Sequence, residues 1–519
     1  MCILNGSQMR FAEKIAVENG TSFEQLMENA GMGAADAIRR RYHSLLTSGS
    51  NILILLGRGN NGGDGLVIAR ALLQWQPELS VDIVFCLGDQ LSPLASLNLS
   101  RLEEYPQVHL WTEMEQDAID RLCKKSSLIL DGIFGTGFHG QLPESVAMAV
   151  RAANQSSAKR IALDIPTGVN GDNGIAAADS FQADYTCTFA AKKPAHILKS
   201  SRSLCGEVEI IDIGISQEIL KHVSGNITLL SPEMIRKLLP ARRPDSNKGN
   251  YGKLLIAGGC QTMTGAVLLA SEAAARCGTG LVMAAAPEHA LLPIRIRLPE
   301  ALQYPLPLAK SGAVSADAHL GLLEKANNWA TGVLCGCGMS LTEETKALVS
   351  TILESCHTPM VLDADALNAL AQIGTEKLKN AKAPVILTPH MLEFSRLSGL
   401  NIREIQENRF EIAAHFSEEY RVTLVLKDAT TVIASDGKLF MNENGNPGLS
   451  KGGSGDTLAG IIAAFLAQRV SAQSAAICGV YLHAAAGDIA AQKLTEYAML
   501  PQDVIHCLPD AFSQLTTRI

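Results

Sequence analysis

The chain has 519 residues and a net charge of −8, with 47% hydrophobic, 18% charged and 5% aromatic residues. A chain of this length usually folds as two or three domains, because one hydrophobic core rarely organises so many residues. The acidic balance argues against a nucleic-acid partner, whereas small anionic ligands remain possible, since local backbone amides can hold a phosphate.

The twelve cysteines are scattered along the chain. The nearest pair, Cys335 and Cys337, has a spacing that suits neither structural zinc nor a disulfide framework, so reduced thiols are expected. Residues 1–20 carry charges where a signal peptide needs its apolar stretch, and no uncharged apolar run approaches the length of a membrane span. We therefore expect a cytoplasmic protein that has no membrane partner.

In chain order, the first predicted element is a long amphipathic helix over residues 21–42, with Thr21 and Glu24 at the spacing of a capping box. Strands are then predicted at NILILL, VDIVFCL, SSLILD, RIALDI, YTCTFA and GEVEIIDIGI, with helical patterns between them. A second series contains GKLLIAGG, TGLVMAAAP, GVLCGCG, MVLDADAL, PVILTPH and TLVLKDATTVIAS. Such alternation predicts α/β domains, each with a parallel sheet that helices cover on both faces.

A segment rich in proline and positive charge, SPEMIRKLLPARRPDSNKGNYG, separates the two series. We place the boundary near residues 218–230, and assign residues 1–222 to a first domain and residues 223–519 to a second. The first domain is predicted to be a Rossmann-like doubly wound sheet. The two halves share an architecture but no motif spacing, so a tandem repeat is not predicted.

Three polar loops follow predicted strands of the first half. GRGNNGGDG contains G-x-G-x-x-G, which is a weak dinucleotide signal alone, but it also carries Asn61 and Asp64. Asp131 and Asp164 each end a strand, and Thr167 follows closely. Because the carboxyl ends of parallel strands share one edge of the sheet, the loops should meet in one cleft. Oxygen donors of this kind suit a hard cation; a plain strand-to-helix turn or a helix cap remains the alternative for each loop alone.

Four motifs, LMENAG, GRGNNGGDG, DGIFGTG and LDIPTGVNGDNG, occur in this order over the first two-fifths of the chain. Together they resemble the epimerase domain of the NAD(P)H-hydrate repair enzymes. That domain interconverts the R and S forms of NADHX and NADPHX, the damaged cofactors that carry water on the nicotinamide ring. Epimerising the hydroxyl-bearing carbon requires the hydroxyl to leave or the ring to open, and either route moves one proton and returns it.

This resemblance implies roles for particular residues. Asp164 would contact the substrate and act as acid and base, and potassium would be bound by Asn61, Asp131 and Thr167. Further substrate contacts are implied at Asn60, Asn61, Gly62, Gly63, Asp64, Gly135, Thr136, Gly137, Phe138, His139, Gly140 and Gln141.

The second half contains no G-x-x-x-x-G-K-[ST], which excludes a P-loop. Instead, residues 452–455 (GGSG) precede Asp456 and an apolar helix. Amides at a helix N-terminus bind anions, and an aspartate there would repel a phosphate unless it faces the acceptor hydroxyl as a base. The arrangement resembles the ribokinase-like fold, in which an aspartate after a Gly-rich turn deprotonates the acceptor. Capping of the helix by Asp456 is the alternative.

The remaining motifs, KGNYGKLLIAGG, TGAVLLASEAAARCGTGLV, LDADALNAL, LTPHMLEF, LKDATTVI and GNPGLSKGGSGD, resemble the ADP- or ATP-dependent dehydratase domain of the same family. The resemblance implies that Asp456 is catalytic and that Ala266, Gly338, His390 and Asp456 contact the hydrate. For His390, a role at a helix start or in the core is the alternative. Nucleotide contacts are implied at Lys427, Asp428, Ala429, Thr430, Thr431, Asn446, Pro447, Gly448, Leu449, Ser450, Lys451, Gly452, Gly453, Ser454 and Gly455.

The family's mechanism phosphorylates the ring hydroxyl and then eliminates phosphate, which is a far better leaving group than hydroxide. ADP is the donor expected here, with magnesium to neutralise the phosphate charge. Four positions depart from the family pattern: Arg58 replaces proline, Thr167 replaces serine, Cys337 lies in GCGMS instead of G-P-G-L-G, and Asp428 replaces glycine. A carboxylate at residue 428 would weaken ADP binding if it faced the phosphates.

The leading hypothesis is a fused repair enzyme that epimerises R- and S-NAD(P)HX and dehydrates the S form with ADP, giving AMP and phosphate. Its partners would be NADHX, NADPHX and ADP, and a homo-oligomer is expected. The main alternative is a ribokinase-like vitamin or sugar kinase with an N-terminal ligand-binding domain, which would release a stable phosphorylated product. A third hypothesis makes the first half a binding scaffold without catalysis.

Overall fold

The computed structural model describes residues 2–112 and 115–516, and the chain divides into two compact units, Met1–Ile227 and Thr228–Ile519. The predicted division after residue 222 falls inside the helix Gln217–Val223. Each unit is built on one sheet, and most strands of both sheets are parallel.

The first unit contains a seven-stranded sheet. Its strands are β1 (Asn51–Leu56), β2 (Ser80–Phe85), β3 (Val108–Trp111), β4 (Leu128–Gly132), β5 (Lys159–Leu163), β6 (Tyr185–Phe189) and β7 (Glu207–Ile211), in the order β3-β2-β1-β4-β5-β6-β7. Its helices are α1 (Gly6–Glu18), α2 (Phe23–Tyr42), α3 (Asn60–Trp75), α4 (Pro93–Ser100), α5 (Gln116–Lys125), α6 (Glu144–Gln155), α7 (Lys199–Cys205) and α8 (Gln217–Val223). All neighbouring strands pair in parallel.

Two hydrophobic cores cover the two faces of this sheet. On β1, Ile52 and Ile54 pack with α1, α2 and α3, whereas Leu53 and Leu55 pack with α5 and α6. A strand that is buried on both faces has apolar residues at successive positions, and NILILL shows this pattern. The sheet is therefore doubly wound, as predicted.

The predicted cap of α2 is wrong. Thr21 is not the N-cap; the helix begins after Ser22, whose side chain accepts a hydrogen bond from the Gln25 amide. Both residues are good caps, and the position at which the chain turns into the helix decides between them.

The second unit contains a ten-stranded sheet. Its strands are β8 (Ile227–Leu229), β9 (Lys253–Ala257), β10 (Leu281–Pro287), β11 (Leu302–Leu306), β12 (Gly332–Cys335), β13 (Met360–Leu362), β14 (Val385–Leu387), β15 (Thr423–Leu426), β16 (Val432–Ser435) and β17 (Lys438–Met441). Their order is β11-β10-β9-β12-β13-β14-β15-β16-β17-β8. Pairing is parallel from β11 to β15 and antiparallel from β15 to β17.

Twelve α-helices complete the second unit among the described residues. They are α9 (Pro232–Leu238), α10 (Gly265–Arg276), α11 (Glu288–Arg297), α12 (His319–Asn328), α13 (Glu343–Ser355), α14 (Asp365–Ile373), α15 (Met391–Ser398), α16 (Ile402–Glu407), α17 (Arg409–Tyr420), α18 (Ser454–Ala467), α19 (Ala472–Ala498) and α20 (Pro501–Thr516). By length and composition α19 could cross a membrane, but 78% of its apolar window is buried inside the protein, as in a core helix.

Candidate active sites

Asp164 follows β5 and has a backbone φ of +65°, a conformation that residues other than glycine seldom adopt. His196 holds this turn: its Nε2 donates to the Asp164 carbonyl over 2.9 Å, and its Nδ1 accepts from the Lys193 amide over 3.0 Å. Burial lowers the pKa of His196 to about 3, so the ring is neutral and can make both bonds. Backbone strain of this kind gathers at functional sites.

Lys193 was not identified from the sequence. It is fully buried, and its Nζ donates to Asp164 Oδ1, to Thr188 Oγ1 at 3.0 Å and to the Phe189 carbonyl at 2.9 Å. Burial alone raises the pKa of Asp164, but the charge and hydrogen bond of Lys193 outweigh it and lower that pKa below its usual value. Asp164 is therefore an ionised carboxylate. The segment AAKKPAH contains two adjacent lysines, and nothing in it indicates which one is buried.

The predicted loops do meet at Asp164. A Cβ placed on Gly135 would lie 3.4 Å from Asp164 Oδ2 and 3.5 Å from Asn61 Cγ, so the loop after β4 faces both side chains. Within GRGNNGGDG, a Cβ on Gly57 would lie 2.0 Å from the Ile133 carbonyl, and one on Gly62 would lie 2.6 Å from the Gly57 carbonyl. Those two glycines are therefore required by close packing of the main chain.

The other predicted contact residues line the same region. Asn60 accepts a hydrogen bond from Ser92 Oγ over 3.0 Å, and His139 Nδ1 lies 2.8 Å from Asn170 Nδ2. Phe138 is buried and packs on Phe134, with ring centroids 5.3 Å apart. Its neighbours in the loop are half-buried or exposed, namely Gly135, Thr136, Gly137, His139, Gly140 and Gln141. The loop is thus anchored by one ring and otherwise accessible.

The predicted cation ligands also come together. Asp131 is fully buried, and its carboxylate accepts from the Thr167 amide and hydroxyl, each over 2.7 Å, and from the Ile133 amide over 3.2 Å. Burial raises the pKa of Asp131 to about 6, although the Thr167 hydrogen bonds lower it. Asn61 Nδ2 donates to the Leu163 carbonyl over 3.1 Å, which leaves its Oδ1 as an acceptor. No residue of the described ranges 2–112 and 115–516 forms an ion pair with Asp131.

Two further carboxyls, Asp64 and Glu13, lie near Asp164. Burial raises the pKa of Asp64 well above its usual value, and the charges of Asp164 and Glu13 raise it further. Burial, followed by the charge of Asp164, likewise raises the pKa of Glu13. Burial and the neighbouring carboxylate charges thus favour the protonated form of both groups, and the pKa of Asp64 is the more strongly raised. Glu13 was missed because α1 precedes every recognised motif.

In the second unit, Asp456 lies in the first turn of α18. The N-cap of that helix is Gly453, with φ +98° and no side-chain cap, so the capping alternative for Asp456 is wrong. Burial raises the pKa of Asp456 to about 6, the charge of Asp363 adds to this, and Cys337 and Lys427 oppose it. A carboxyl with such a pKa is mostly ionised at neutral pH and remains a useful base.

Lys427 and Asp363 accompany Asp456. Lys427 Nζ donates to Asp363 Oδ1 over 3.0 Å, and Thr388 Oγ1 donates to the same oxygen over 2.7 Å. A Cβ placed on Gly455 would lie 3.4 Å from Lys427 Nζ, so the ammonium faces the Gly-rich turn. Asp363 was not among the predicted site residues, although the sequence motif LDADAL contains it.

Cys337 lies directly beside this pair of carboxylates. The sulfur of Cys337 and one carboxylate oxygen from each of Asp363 and Asp456 all lie within 4.8 Å of one another. Burial, with the charge of Asp456 adding to it, raises the pKa of the Cys337 thiol well above its usual value, so the thiol stays protonated. It donates a hydrogen bond to Asp456, which lowers the pKa of that carboxyl.

The residues predicted to contact the hydrate lie around this site. Gly338 has φ +63°, and a Cβ placed there would lie 3.0 Å from the Ala266 Cβ. His390 is the N-cap of α15: its Nδ1 accepts from the amides of Leu392 and Glu393 over 3.1 and 3.2 Å. The helix-start alternative for His390 therefore holds, and its strand neighbour is Lys427. The capping bonds occupy Nδ1, and Nε2 lies 3.3 Å from Glu393 Oε1.

The predicted nucleotide loops have two unexpected contacts. Asp428 Oδ2 pairs with Arg409 at 2.9 Å, and that arginine is only 5% exposed. The charge of Asp428 is therefore balanced within the protein. Lys451 Nζ donates to the main-chain carbonyls of Tyr497 and Met499 over 2.7 and 2.6 Å. Lys451 thus holds the loop 446–455 against the end of α19.

Two α/β units, each with a buried carboxylate and a lysine beside it at the carboxyl ends of parallel strands, define an enzyme with two sites. Comparison with known proteins identifies the family. Residues 23–195 match the family model described as YjeF-related protein N-terminus, and residues 254–510 match the model described as NAD(P)H-hydrate dehydratase.

Similar proteins extend over nearly the whole chain. The bifunctional NAD(P)H-hydrate repair enzyme Nnr of Moorella thermoacetica is 38% identical over 95% of this chain and 93% of its own length. The protein of the same description from Coxiella burnetii is 35% identical over 96% of both chains. The ADP/ATP-dependent NAD(P)H-hydrate dehydratase from Bacillus subtilis, co-crystallised with ATP and Mg²⁺, is 31% identical, covers 56% of this chain and 99% of its own, and has a TM-score of 0.50.

The chain therefore belongs to the family of bifunctional NAD(P)H-hydrate repair enzymes. This confirms the family resemblance, the two-domain α/β fold with a ribokinase-like second unit, and the prediction of an enzyme that has epimerase and dehydratase activities.

Proposed function

We propose that this chain repairs hydrated NADH and NADPH at two separate sites. The site around Asp164 interconverts the R and S hydrates, and the site around Asp456 dehydrates the S hydrate at the expense of ADP, giving AMP and phosphate. The observation that carries the proposal is the position of Asp456 and Lys427 beside the Gly-rich turn that begins α18. A base and a cation at an anion-binding turn are the groups that phosphoryl transfer to a hydroxyl needs.

Epimerisation needs one group that takes a proton and one that gives a proton. Lys193 keeps Asp164 ionised, so Asp164 can take the hydroxyl proton. Burial keeps Asp64 protonated, so it can supply the proton that the ring requires. If the ring opens, the carbon–nitrogen bond breaks as the hydroxyl becomes an aldehyde, and closure on the other face returns both protons. Carboxyls whose environments separate their pKa values in this way divide into a base and an acid.

Potassium fits the residues around Asp131. A fully buried carboxylate that has no ion-pair partner among the described residues is costly unless a cation balances it. Asp131, Thr167 and Asn61 Oδ1 would hold the ion, which supplies positive charge and fixes the loops after β1, β4 and β5. Thr167 keeps the oxygen that serine would offer, since its hydroxyl already bonds Asp131 Oδ1.

For dehydration, Asp456 takes the proton of the ring hydroxyl, and the oxygen attacks the terminal phosphorus of ADP while AMP leaves. The phosphate ester then breaks at its carbon–oxygen bond, with the electron pair leaving on phosphate and the ring-nitrogen lone pair assisting. Loss of a proton from the neighbouring ring carbon restores the dihydronicotinamide. Lys427 faces the turn where the transferred phosphoryl group would lie, and so offsets its charge.

The same site offers magnesium one carboxylate, that of Asp363, facing the Gly-rich turn. Mg²⁺ takes one or two carboxylates together with phosphate oxygens and water, and Asp363 Oδ2 lies 3.9 Å from a Cβ placed on Gly455. Asp363 would hold the ion, which supplies charge neutralisation for the phosphates. The sulfur of Cys337 is a poor Mg²⁺ ligand and would stay with Asp456.

The test is a mixture of purified protein and both NADHX epimers, followed by the return of dihydronicotinamide absorbance with ADP, ATP or no nucleotide. The proposal expects recovery of NADH together with free phosphate and AMP. The kinase alternative expects a stable phosphorylated product, and its appearance in place of NADH would refute the proposal. Epimerisation without nucleotide separates the first site from a binding scaffold.

We also infer a cytoplasmic location, small-molecule partners and a homo-oligomer. All twelve cysteines are unpaired, which suits a reducing compartment. Leu292 and Ile296 on α11 are 54% and 73% exposed one turn apart, which supports an assembly that covers them. Sedimentation of the full chain, with Ile296→Lys for comparison, tests the assembly.

A further inference from the structure

Cys337, Asp363 and Asp456 form a cluster of three potential metal ligands in the second unit. Cys337 is the second residue after β12, Asp363 directly follows β13, and Asp456 lies in the first turn of α18. The sulfur and one oxygen of each carboxylate lie within 4.8 Å of one another. The proposed reaction uses both carboxylates, but in it the thiol neither takes nor gives a proton. The proline of the family pattern could not bind a metal at residue 337, so the three-ligand cluster is a feature of this chain.

One oxygen of Asp363 is left open toward the cluster. This residue is only 1% exposed, and Lys427 and Thr388 both donate to its Oδ1. Its Oδ2 accepts no hydrogen bond from any residue that the structure describes. That oxygen lies 3.9 Å from a Cβ placed on Gly455, so it faces the Gly-rich turn. A carboxylate oxygen that is buried without a donor is costly unless a ligand meets it.

The charge of the cluster also favours a cation. Lys427 forms an ion pair with Asp363, whereas Asp456 forms none within residues 2–112 and 115–516. The two ionised carboxylates and one ammonium therefore leave one negative charge in excess. A divalent ion that displaces the thiol proton of Cys337 would bring the ion and these four side chains to neutrality.

A sulfur and two carboxylate oxygens are ligands that suit zinc better than magnesium, which prefers oxygen alone. Tetrahedral zinc has bonds of about 2.3 Å to sulfur and about 2.1 Å to oxygen, and so holds neighbouring ligand atoms about 3.6 Å apart. Side-chain rotations that move the present atoms by about 1 Å or less would complete such a site. Asp456 is half-buried, so an ion can reach the cluster from the cleft, and water would take the fourth position.

We propose that Cys337, Asp363 and Asp456 bind Zn²⁺ or a similar thiophilic divalent cation, and that this ion switches off the dehydratase site. Binding forms one bond to the sulfur and one to an oxygen of each carboxylate. The thiol proton leaves to solvent, and no electrons are transferred. With its oxygen on the metal, Asp456 cannot accept the proton of the ring hydroxyl. The inhibition rests on the proposed function, whereas the binding does not.

The test titrates the full chain with Zn²⁺ by calorimetry, in excess Mg²⁺ and without nucleotide, and repeats the titration with Co²⁺ by absorbance. Cys337→Ala should weaken zinc binding about a hundredfold or more, since even outer residues of metal sites contribute tenfold to a hundredfold. It should also remove the near-ultraviolet charge-transfer absorbance that a thiolate gives with cobalt. Asp456→Asn leaves the thiol in place and should weaken zinc binding as well. Cys335→Ala removes an equally buried thiol that bonds Met339, and should bind both ions as the unaltered chain does.

The effect on catalysis is measured with both NADHX epimers, and each variant is compared with its own rate in Mg²⁺ alone. Zinc should stop dehydration by the unaltered chain but not epimerisation, and EDTA equal to the added zinc should restore it. Cys337→Ala should need about a hundredfold more zinc for the same fractional inhibition.

Equal zinc affinities of the unaltered chain and Cys337→Ala, or cobalt absorbance that this variant keeps, would overturn the metal site. Zinc that binds through Cys337 without slowing dehydration would overturn the switch. The proposed function fails in a different way: if zinc binding depends on Cys337 but the chain dehydrates no NADHX in Mg²⁺ and ADP, the metal site stands and the reaction does not.

Discussion

Lys193 Nζ and Asp164 Oδ1 form a buried ion pair at the carboxyl end of the first sheet, and the lysine has no exposed surface. The two residues come from different segments, one after β5 and one after β6. A buried charge without its partner is strongly destabilising, so the pair is both a structural and a chemical unit.

We expect Lys193→Met to slow epimerisation by about a hundredfold or more, because Asp164 would no longer be held ionised. Breaking a buried pair should also lower the free energy of unfolding by about 3–5 kcal/mol. Lys193 makes the pKa of Asp164 lower in the folded chain than in the unfolded chain. The pair therefore contributes its full stabilisation at a pH above the unfolded-state pKa of Asp164, and this contribution is lost as the pH falls through the folded-state pKa. Chiral separation of the hydrates and urea unfolding at several pH values measure both effects.

Lys192→Met is the control for this variant, because it removes the adjacent, half-buried lysine. It should epimerise normally. If Lys193→Met retained the rate of the unaltered chain at neutral pH, the assignment of Lys193 as the residue that sets the charge of Asp164 would be wrong.

Potassium should stabilise the first unit and accelerate epimerisation, because it balances the buried carboxylate of Asp131. At a concentration of a hundred times its dissociation constant, a bound ion adds about 2.7 kcal/mol. The measurement compares epimerisation rates and melting temperatures in potassium and in N-methylglucamine salts. Asp131→Ala should lose both the activity and the rise in melting temperature that potassium gives, whereas Asp89→Ala, at an exposed position, should keep both. Equal melting temperatures and rates in the two salts for the unaltered chain would exclude the site.

The ion pair between Asp428 and Arg409 changes the effect that we expect from removing this carboxylate. The sequence suggests that Asp428→Gly should improve ADP binding by removing a carboxylate. In the structure that carboxylate pairs with Arg409, which is almost fully buried. We now expect the variant to lose about 1–3 kcal/mol of stability, because a charged donor is left unsatisfied, and its KM for ADP should not fall. Urea unfolding of Asp428→Gly, with and without Arg409→Met, measures the coupling; a lower KM without loss of stability would contradict it.

Cys337→Ala should raise the pKa of Asp456 above its present value of about 6, because the thiol that donates to the carboxylate is lost. The acid limb of kcat/KM for dehydration should then move to higher pH by about one unit or less, which is the size of one hydrogen bond. Cys335→Ala removes an equally buried thiol that bonds Met339 instead, and should leave the profile in place. An unmoved profile in Cys337→Ala would show that the thiol only fills space.

Much of the fold could be predicted because most strands are buried on both faces and appear as apolar runs. The strands that were missed, β3, β8, β11 and β17, are short and lie at or near the sheet edges, and three of them are partly exposed. The sequence pattern predicts one strand over TLVLKDATTVIAS, but the structure folds this segment into the hairpin β15–β16. The turn between them, residues 427–431, contains no glycine or proline, which are the residues that most clearly mark a turn.

The site residues also divide into those that the sequence could predict and those that it could not. Asn61, Asp131 and Asp164 could be grouped from the sequence, since strand ends share one edge of a parallel sheet. Asp363, which follows β13, could have been added by the same rule. Lys193 and Glu13 could not, because their partners are set by packing between distant segments. Arg409 is a similar case: it reads as a surface charge at a helix start, and only the neighbouring hairpin shows that it is buried.

Asp456→Asn and Asp164→Asn should separate the two halves of the repair reaction. In Asp456→Asn the amide side chain would keep the shape of the turn but could not accept the hydroxyl proton, so dehydration should fall about a hundredfold to ten-thousandfold. Stability should not fall, because burial raises the pKa of Asp456 and the neutral amide avoids that cost. In the unaltered chain, dehydration should decline as pH drops through about 6 and protonates this base.

Asp164→Asn should have the opposite effect: the S hydrate is dehydrated at the normal rate, while the R hydrate is repaired only as fast as it epimerises spontaneously. The reason is that each carboxylate lies in its own unit with its own lysine, Lys193 in one and Lys427 in the other. A time course on mixed epimers, with ADP in excess, gives both rates in one experiment. If Asp456→Asn dehydrated at the normal rate, Asp456 would not be the base. If Asp164→Asn stopped repair of the S hydrate, the two sites would not be independent.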